Sequence, residues 1–227
     1  MSHLYIFDID GTLLSAGRAG TRSIDDLFKH YFDYENICQH LTFAGATDID
    51  LFARAQKIAS EASGNPILPQ SEIFDAYTTF FDRELQKENT CRAYDGVLEF
   101  LNHLKVQTRL VMGIGTGNLA TTAQLKLKYS GLDSYFTFGG YGSEHETRAA
   151  IFQSALSCGL EQLNETPERI VVFGDTPKDI WAARDVKAEV VAVTTGSFGR
   201  DELSKENPDL VVDSLMAPEL KSWLGAP

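Results

Sequence analysis

The chain has 227 residues, with 20 basic against 32 acidic side chains and a formal net charge of −12. Its content, 43% hydrophobic and 23% charged, suits an ordinary globular protein and excludes collagen-like, disordered and disulfide-scaffold classes. The acidic balance excludes a general nucleic-acid or anionic-membrane binder, which needs a dense basic footprint, but leaves a small anionic substrate open.

From the N-terminus, the run Leu4–Phe7 is continuously apolar, as in a strand buried on both faces of a parallel sheet. It is ended by Asp8 and Asp10 and is too short for a signal peptide. From about residue 15 to 90 apolar residues recur at helical spacing: Ile24, Leu27, Phe28, Tyr31 and Phe32, then Ile49, Phe52, Ala53, Ile58 and Ala59, then Phe74, Tyr77, Phe81 and Leu85. Roughly 75 residues of helix between two strands exceeds what a crossover needs, so this stretch is expected to be an inserted subdomain. Asp95 can cap a helix with Val97, Leu98, Leu101 and Leu104 on one face. Further apolar runs follow at 108–114, 169–173 and 189–193, with a weaker one at 209–212. Thr147 can cap a helix carrying Ile151, Phe152, Ala155 and Leu156. This alternation predicts an α/β fold, a Rossmann-like parallel sheet, with an α-helical insert. The expected division is a core of residues 1–14 and 91–227 and a helical cap of 15–90. Cys38, Cys91 and Cys158 are widely spaced with no CxxC pair, which reads as reduced thiols in a cytoplasmic protein. No run reaches the roughly 20 apolar residues of a membrane span.

The chemistry gathers at predicted strand ends, where open α/β sheets bind ligands. Asp8 and Asp10, two apart on an extended chain, point to the same side and repel unless a cation or a shared proton relieves them. Asp10-Gly11 can equally be a plain turn. After the strand ending at Phe173 comes Gly174-Asp175-Thr176-Pro177-Lys178-Asp179, with Pro177 suited to a first helical turn. Asp179 is either a helix-start charge or a second carboxylate facing the crevice. Hard oxygen ligands of this kind suit Mg²⁺, and Asp8, Asp10, Asp175 and Asp179 form the candidate metal set. At a third strand end, Thr116, Gly117 and Asn118 can hold a phosphate oxygen by a hydroxyl and free N–H groups. The other reading is that Asn118 only caps a helix.

Asp8-Ile9-Asp10-Gly11-Thr12-Leu13-Leu14 resembles the DxDGTL signature of the haloacid dehalogenase superfamily, with Thr116 at its second motif and Gly174–Asp179 similar to its acidic GDxxxD motif. The likeness spans the chain and points to the phosphoglycolate phosphatase and beta-phosphoglucomutase branch. It implies a four-helix (C1-type) cap, and a turn and small flap over Gly11–Ser15. The superfamily's third motif is usually a lysine; the matching segment here offers Arg148 instead, whose guanidinium can neutralise the same charges with a bidentate fork. Lys126 and Lys128 are the alternatives, expected to be solvated.

The resemblance implies a Mg²⁺-dependent phosphatase with Asp8 as nucleophile, ionised at an ordinary pKa of ~3.9, and Asp10 as the proton carrier. By the same resemblance, the Asp10 backbone carbonyl would also be a metal ligand. Arg148 and Thr116 assist catalysis, while Gly11, Thr12, Thr116, Gly117 and Asn118 bind phosphate. In the cap, Thr47 and Asp48 are candidate substrate contacts, although Asp48 can equally be a helix cap. An acid two residues after the nucleophile points to phosphoryl transfer rather than dehalogenation, since a halide leaves without a proton. The expected partner is a small phosphorylated metabolite, with no nucleic acid and no membrane, and the expected state a monomer or homodimer. A phosphomutase, and a non-catalytic protein that binds a phosphorylated ligand, are the competing readings.

Overall fold

Alternation of buried side chains along β1 (His3–Phe7) decides the layering. Tyr5 and Phe7 enter one apolar cluster, with Phe173, Val171 and Ile114, while Leu4 and Ile6 enter another on the opposite face. A strand buried on both sides must be central, and β1 is. The computed structural model describes residues 2–87 and 90–225. Met1, Glu88, Asn89, Ala226 and Pro227, which fall within the expected domain ranges, lie outside the described residues. Six parallel strands follow the order β5-β4-β1-β6-β7-β8, with β4 over Leu110–Thr116, β5 over Phe138–Tyr141, β6 over Arg169–Gly174, β7 over Glu189–Val193 and β8 over Leu210–Val212.

Helices α4 (Val97–Lys105), α5 (Ala120–Tyr129) and α9 (Pro218–Leu224) cover the Tyr5/Phe7 face. The other face is covered by α6 (Arg148–Leu163), α7 (Pro177–Asp185) and α8 (Arg200–Lys205). Phe7 stacks on Phe173 with ring centroids 4.4 Å apart, which ties β1 to β6 at the end that carries the acidic residues. The register pairs Phe7 with both Ile114 and Phe173. Asp8 therefore starts one row beyond, level with the ends of β4 and β6. The chain leaves β1 towards β4 but leaves β6 towards β7, so the sheet's topological switch point lies between β1 and β6, where ligands bind in open sheets.

Between β1 and β4 lie α1 (Ala19–Phe32), α2 (Asp48–Ser63) and α3 (Gln70–Leu85). They share an aromatic cluster in which Phe28 stacks on Phe32 and Phe52. Where the resemblance implies four helices, the described residues of this segment form three α-helices and a 3-10 turn at Ile37–His40, with left-handed residues at Asp33 and Asn36 between α1 and that turn. The chain enters and leaves through β2 (Leu14–Ser15) and β3 (Arg92–Ala93), an antiparallel pair.

Several local expectations need correction. Asp95 does not cap α4: Gly96 stands at the N-cap with no side-chain bond, and Phe100 is buried where Leu98 is exposed. Thr147 does cap α6, accepting from the Ala150 N–H. Strand β5 has the sequence Phe-Gly-Gly-Tyr, which carries no continuous apolar run and so gives no strand signal. No helix of the described residues is long and apolar enough to cross a membrane.

Candidate active site

Asp8 leaves the end of β1 with its N–H bonded to the Phe173 carbonyl at 2.9 Å, and this bond aims it at the start of α7. There Thr176 and Asp179 form a capping box: the Thr176 hydroxyl accepts from the Asp179 N–H, and the Asp179 carboxylate accepts from the Thr176 N–H. The box leaves Asp179 fully buried, with Oδ1 free to accept from Arg148 Nε at 2.6 Å. Arg148, in the first turn of α6, also reaches Asp8 Oδ2 at 3.1 Å through Nη2.

Oxygens of Asp8, Asp175 and Asp179 lie within 4.8 Å of one another, and they form the cluster of metal-ligating side chains found among the described residues. Asp175 Oδ1 is buried with no hydrogen-bond partner. Burial pushes the Asp8 carboxyl above its ordinary range, Arg148 pulls it back, and Asp179 and Asp10 push it further up. Asp175 is pushed up in the same way, by burial first and then by Asp8 and Asp179. The expectation that Asp8 keeps an ordinary carboxylate value is therefore corrected: burial and its acidic neighbours raise it, as they raise Asp175. Three convergent carboxylates, one with an orphaned oxygen, fit a hard divalent cation such as Mg²⁺. The Asp10 side chain is not one of the three; it turns towards α5.

Gly11 has φ of 81° and lies so close to Asp175 that a Cβ would collide with its carboxylate, so only glycine serves there. The same holds by proximity for Gly117, where a Cβ would strike the Ala46 carbonyl. Thr116 ends β4, fully buried, with its hydroxyl oxygen accepting from Asn118 Nδ2 at 2.6 Å. Its own hydrogen therefore stays available to a ligand.

These residues, except the fully buried Asp179, line a cleft of about 520 Å³ that also takes in Ile24, Phe43, Leu51 and Tyr77 from the helical segment. Thr12 and Thr47 are not on its lining. Thr12 is buried with its hydroxyl unpartnered, and Thr47 is the N-cap of α2, donating to the Glu146 carbonyl. Asp48 does line the cleft, and its Oδ2 accepts from the Leu119 N–H at 2.8 Å, pinning α2 to the start of α5. Burial pushes its pKa up to about 6.

Lys126, expected to be solvated, is buried and lines the cleft. Its Nζ lies 2.6 Å from Asp10 Oδ2 and 2.7 Å from Asn118 Oδ1. The available signal was its position between the buried Ala123 and Leu127 of α5, which places it near the inward face of that helix. Thr195 and Gly196, which carry no sequence signal of their own, also belong to the site: Thr195 donates to the Gly11 carbonyl, and Gly196 packs against the Asp175 carboxylate.

A buried acidic strand-end cluster on a sheet of this order defines a class of protein, and the comparisons agree with it. The sequence model described as haloacid dehalogenase-like hydrolase matches residues 5–193, and the chain belongs to that enzyme family. Among its relatives is pyrophosphatase PpaX of Bacillus mycoides, 26% identical over 211 residues and covering 92% of each chain. Phosphoglycolate phosphatase of Agrobacterium fabrum is also 26% identical, over 96% of this chain and 91% of its own. In fold, CbbY from Rhodobacter sphaeroides, solved in complex with phosphate, superposes with a TM-score of 0.72 over 95% of both chains at 18% identity.

Proposed function

We propose that the chain is a Mg²⁺-dependent phosphatase that hydrolyses a small phosphorylated metabolite, of the phosphoglycolate or sugar-phosphate kind, through an aspartyl-phosphate. The observation that carries this reading is the joining of Asp8, Asp175, Asp179 and Arg148 in one buried cluster beside Asp10 and Thr116. Family membership and relatives named as phosphatases support it. Asp8, Asp175 and Asp179, with the Asp10 carbonyl, would hold the cation. When bound it supplies positive charge that keeps these carboxylates ionised and offsets the charge of a phosphoryl group.

The chain's own residues then divide the work. A carboxylate oxygen of Asp8 attacks phosphorus and the bond to the leaving oxygen breaks, while Asp10 gives that oxygen its proton. Asp10 next takes a proton from water, whose oxygen attacks the same phosphorus. The Asp8–phosphorus bond breaks, which frees inorganic phosphate and restores the carboxylate. Arg148 offsets charge beside Asp8, and Thr116 with the N–H groups near Gly117 and Asn118 binds the phosphoryl oxygens. The helical segment walls the cleft and limits water. Three free cysteines support a cytoplasmic setting.

The test is phosphate release from a panel of phosphorylated metabolites with Mg²⁺. Turnover that EDTA and Asp8→Asn abolish is expected; full activity in Asp8→Asn overturns the reading. Phosphoryl exchange between sugar phosphates without net phosphate release would identify a phosphomutase instead, and tight binding without turnover a ligand-binding protein.

A further inference from the structure

Asp10 is held from one side only. Both of its hydrogen bonds from described residues fall on Oδ2, from Lys126 Nζ at 2.6 Å and Asn118 Nδ2 at 2.8 Å. A carboxylate oxygen accepts two such donors and is then filled. Asp10 lines the cleft, and Oδ1 is the oxygen that neither donor occupies. The anchor is itself rigid. The Lys126 side chain is 7% exposed against 45% for Asp10, its Nζ also bonds Asn118 Oδ1, and it lies 5.4 Å from the centroid of the Phe81 ring of α3. Asn118 is thereby fixed in one amide orientation: its oxygen receives from Lys126 while its nitrogen donates to Asp10 and to Thr116.

A buried ammonium loses most of its hydration and persists only where paired. Lys126 pairs with Asp10, whereas Asp8 and Asp179 pair with Arg148. The two basic residues therefore serve different carboxylates. We propose that Lys126 is a positioning residue: with Asn118 it clamps Oδ2 of Asp10 so that Oδ1 is the oxygen that hands its proton to the leaving group. This rests on the phosphatase reading and goes beyond it, by assigning the work of holding the acid to a residue outside the family motifs described above.

The leaving group separates this role from others. Nitrophenolate departs without a proton, whereas an alkoxide needs one, and kcat/KM covers the steps only through that departure. The experiment compares kcat/KM on p-nitrophenyl phosphate and glycerol 2-phosphate, with Mg²⁺, for the wild type, Lys126→Met, Lys126→Gln and Lys126→Arg. Lys126→Met and Lys126→Gln are expected to lose about 100-fold more on the alkyl ester than on the nitrophenyl ester, the order of a general-acid contribution. Arginine, which can reach both acceptors, is expected to recover most of that difference. Equal proportional losses on both esters, a shared rise in KM as from a direct substrate contact, or failure of both neutral variants to fold overturns the inference. Wild-type turnover of both esters with no such selectivity in the variants overturns it alone; no wild-type turnover of either ester takes the phosphatase reading down with it.

Discussion

Phe28, Phe52 and Tyr77 are buried in the helical segment, with Phe52 and Tyr77 ring centroids 4.8 Å apart, and all three join one apolar cluster. Asp8, Asp175 and Asp179 are also buried, at the ends of the central strands, yet only Asp8 and Asp179 pair with the one guanidinium there, that of Arg148. Burying a side chain such as Phe52 contributes roughly 1.5–3 kcal/mol to folding, whereas burying a carboxylate costs free energy unless it is paired. One region supplies stability and the other consumes it. The site can exist because β1, β4 and β6 are held by ladders and by the Phe7–Phe173 stack, whatever their terminal aspartates prefer.

The sharpest way to break this contrast is Asp8→Asn. It should lower phosphate release by at least about 1,000-fold, as loss of a nucleophile does. Because the amide removes a charge from a crowded pocket, the thermal midpoint measured in EDTA should rise. A midpoint that falls would show that the site contributes stability after all. At the other pole, Phe52→Ala should cost about 3–5 kcal/mol in urea unfolding, and a loss below 1 kcal/mol would deny the helical segment its apolar core.

Metal addition tests the site from the opposite direction. At 100 times its dissociation constant, Mg²⁺ should stabilise the protein by about 2.7 kcal/mol, and Asp175→Asn should abolish most of that gain. Thermal unfolding with and without the ion reads it directly.

The smallest effect is expected at Asp48, which joins the two regions. Its carboxyl is raised in the folded state to about 6 from an ordinary 3.8, so the folded protein holds this proton more tightly than the unfolded chain. The stability it contributes is complete below pH 3.8 and lost as pH rises through 6. Asp48→Asn keeps an oxygen for the Leu119 N–H and has nothing to ionise, so it should gain about 1–3 kcal/mol relative to the parent between pH 4 and pH 7. Urea unfolding at those two pH values measures it; parallel losses in both proteins would place the ionisation elsewhere.

The strands and the acidic motifs were legible because their signals are local. A buried parallel strand must be apolar on both faces, as Leu4–Phe7, Arg169–Phe173 and Glu189–Val193 are. Aspartates placed directly after such runs can only lie at the sheet's end. Strand β5 was not legible, since its central glycines pack under Tyr141 and the backbone of α6 instead of displaying apolar side chains. Nor was the 3-10 turn at Ile37–His40, which follows left-handed residues at Asp33 and Asn36.

By itself the sequence determined the class of fold, its apolar strands and the aspartates that follow β1 and β6, because periodicity and strand ends are properties of neighbouring residues. Tertiary structure decided which charge meets which. Arg148 pairs with Asp8 and Asp179, and Lys126 with Asp10 across 116 positions of chain. It also raised the Asp8 and Asp175 carboxyls and turned Thr47 away from the cleft. Burial and Coulomb energy depend on the distance between atoms, and only the folded chain sets those distances.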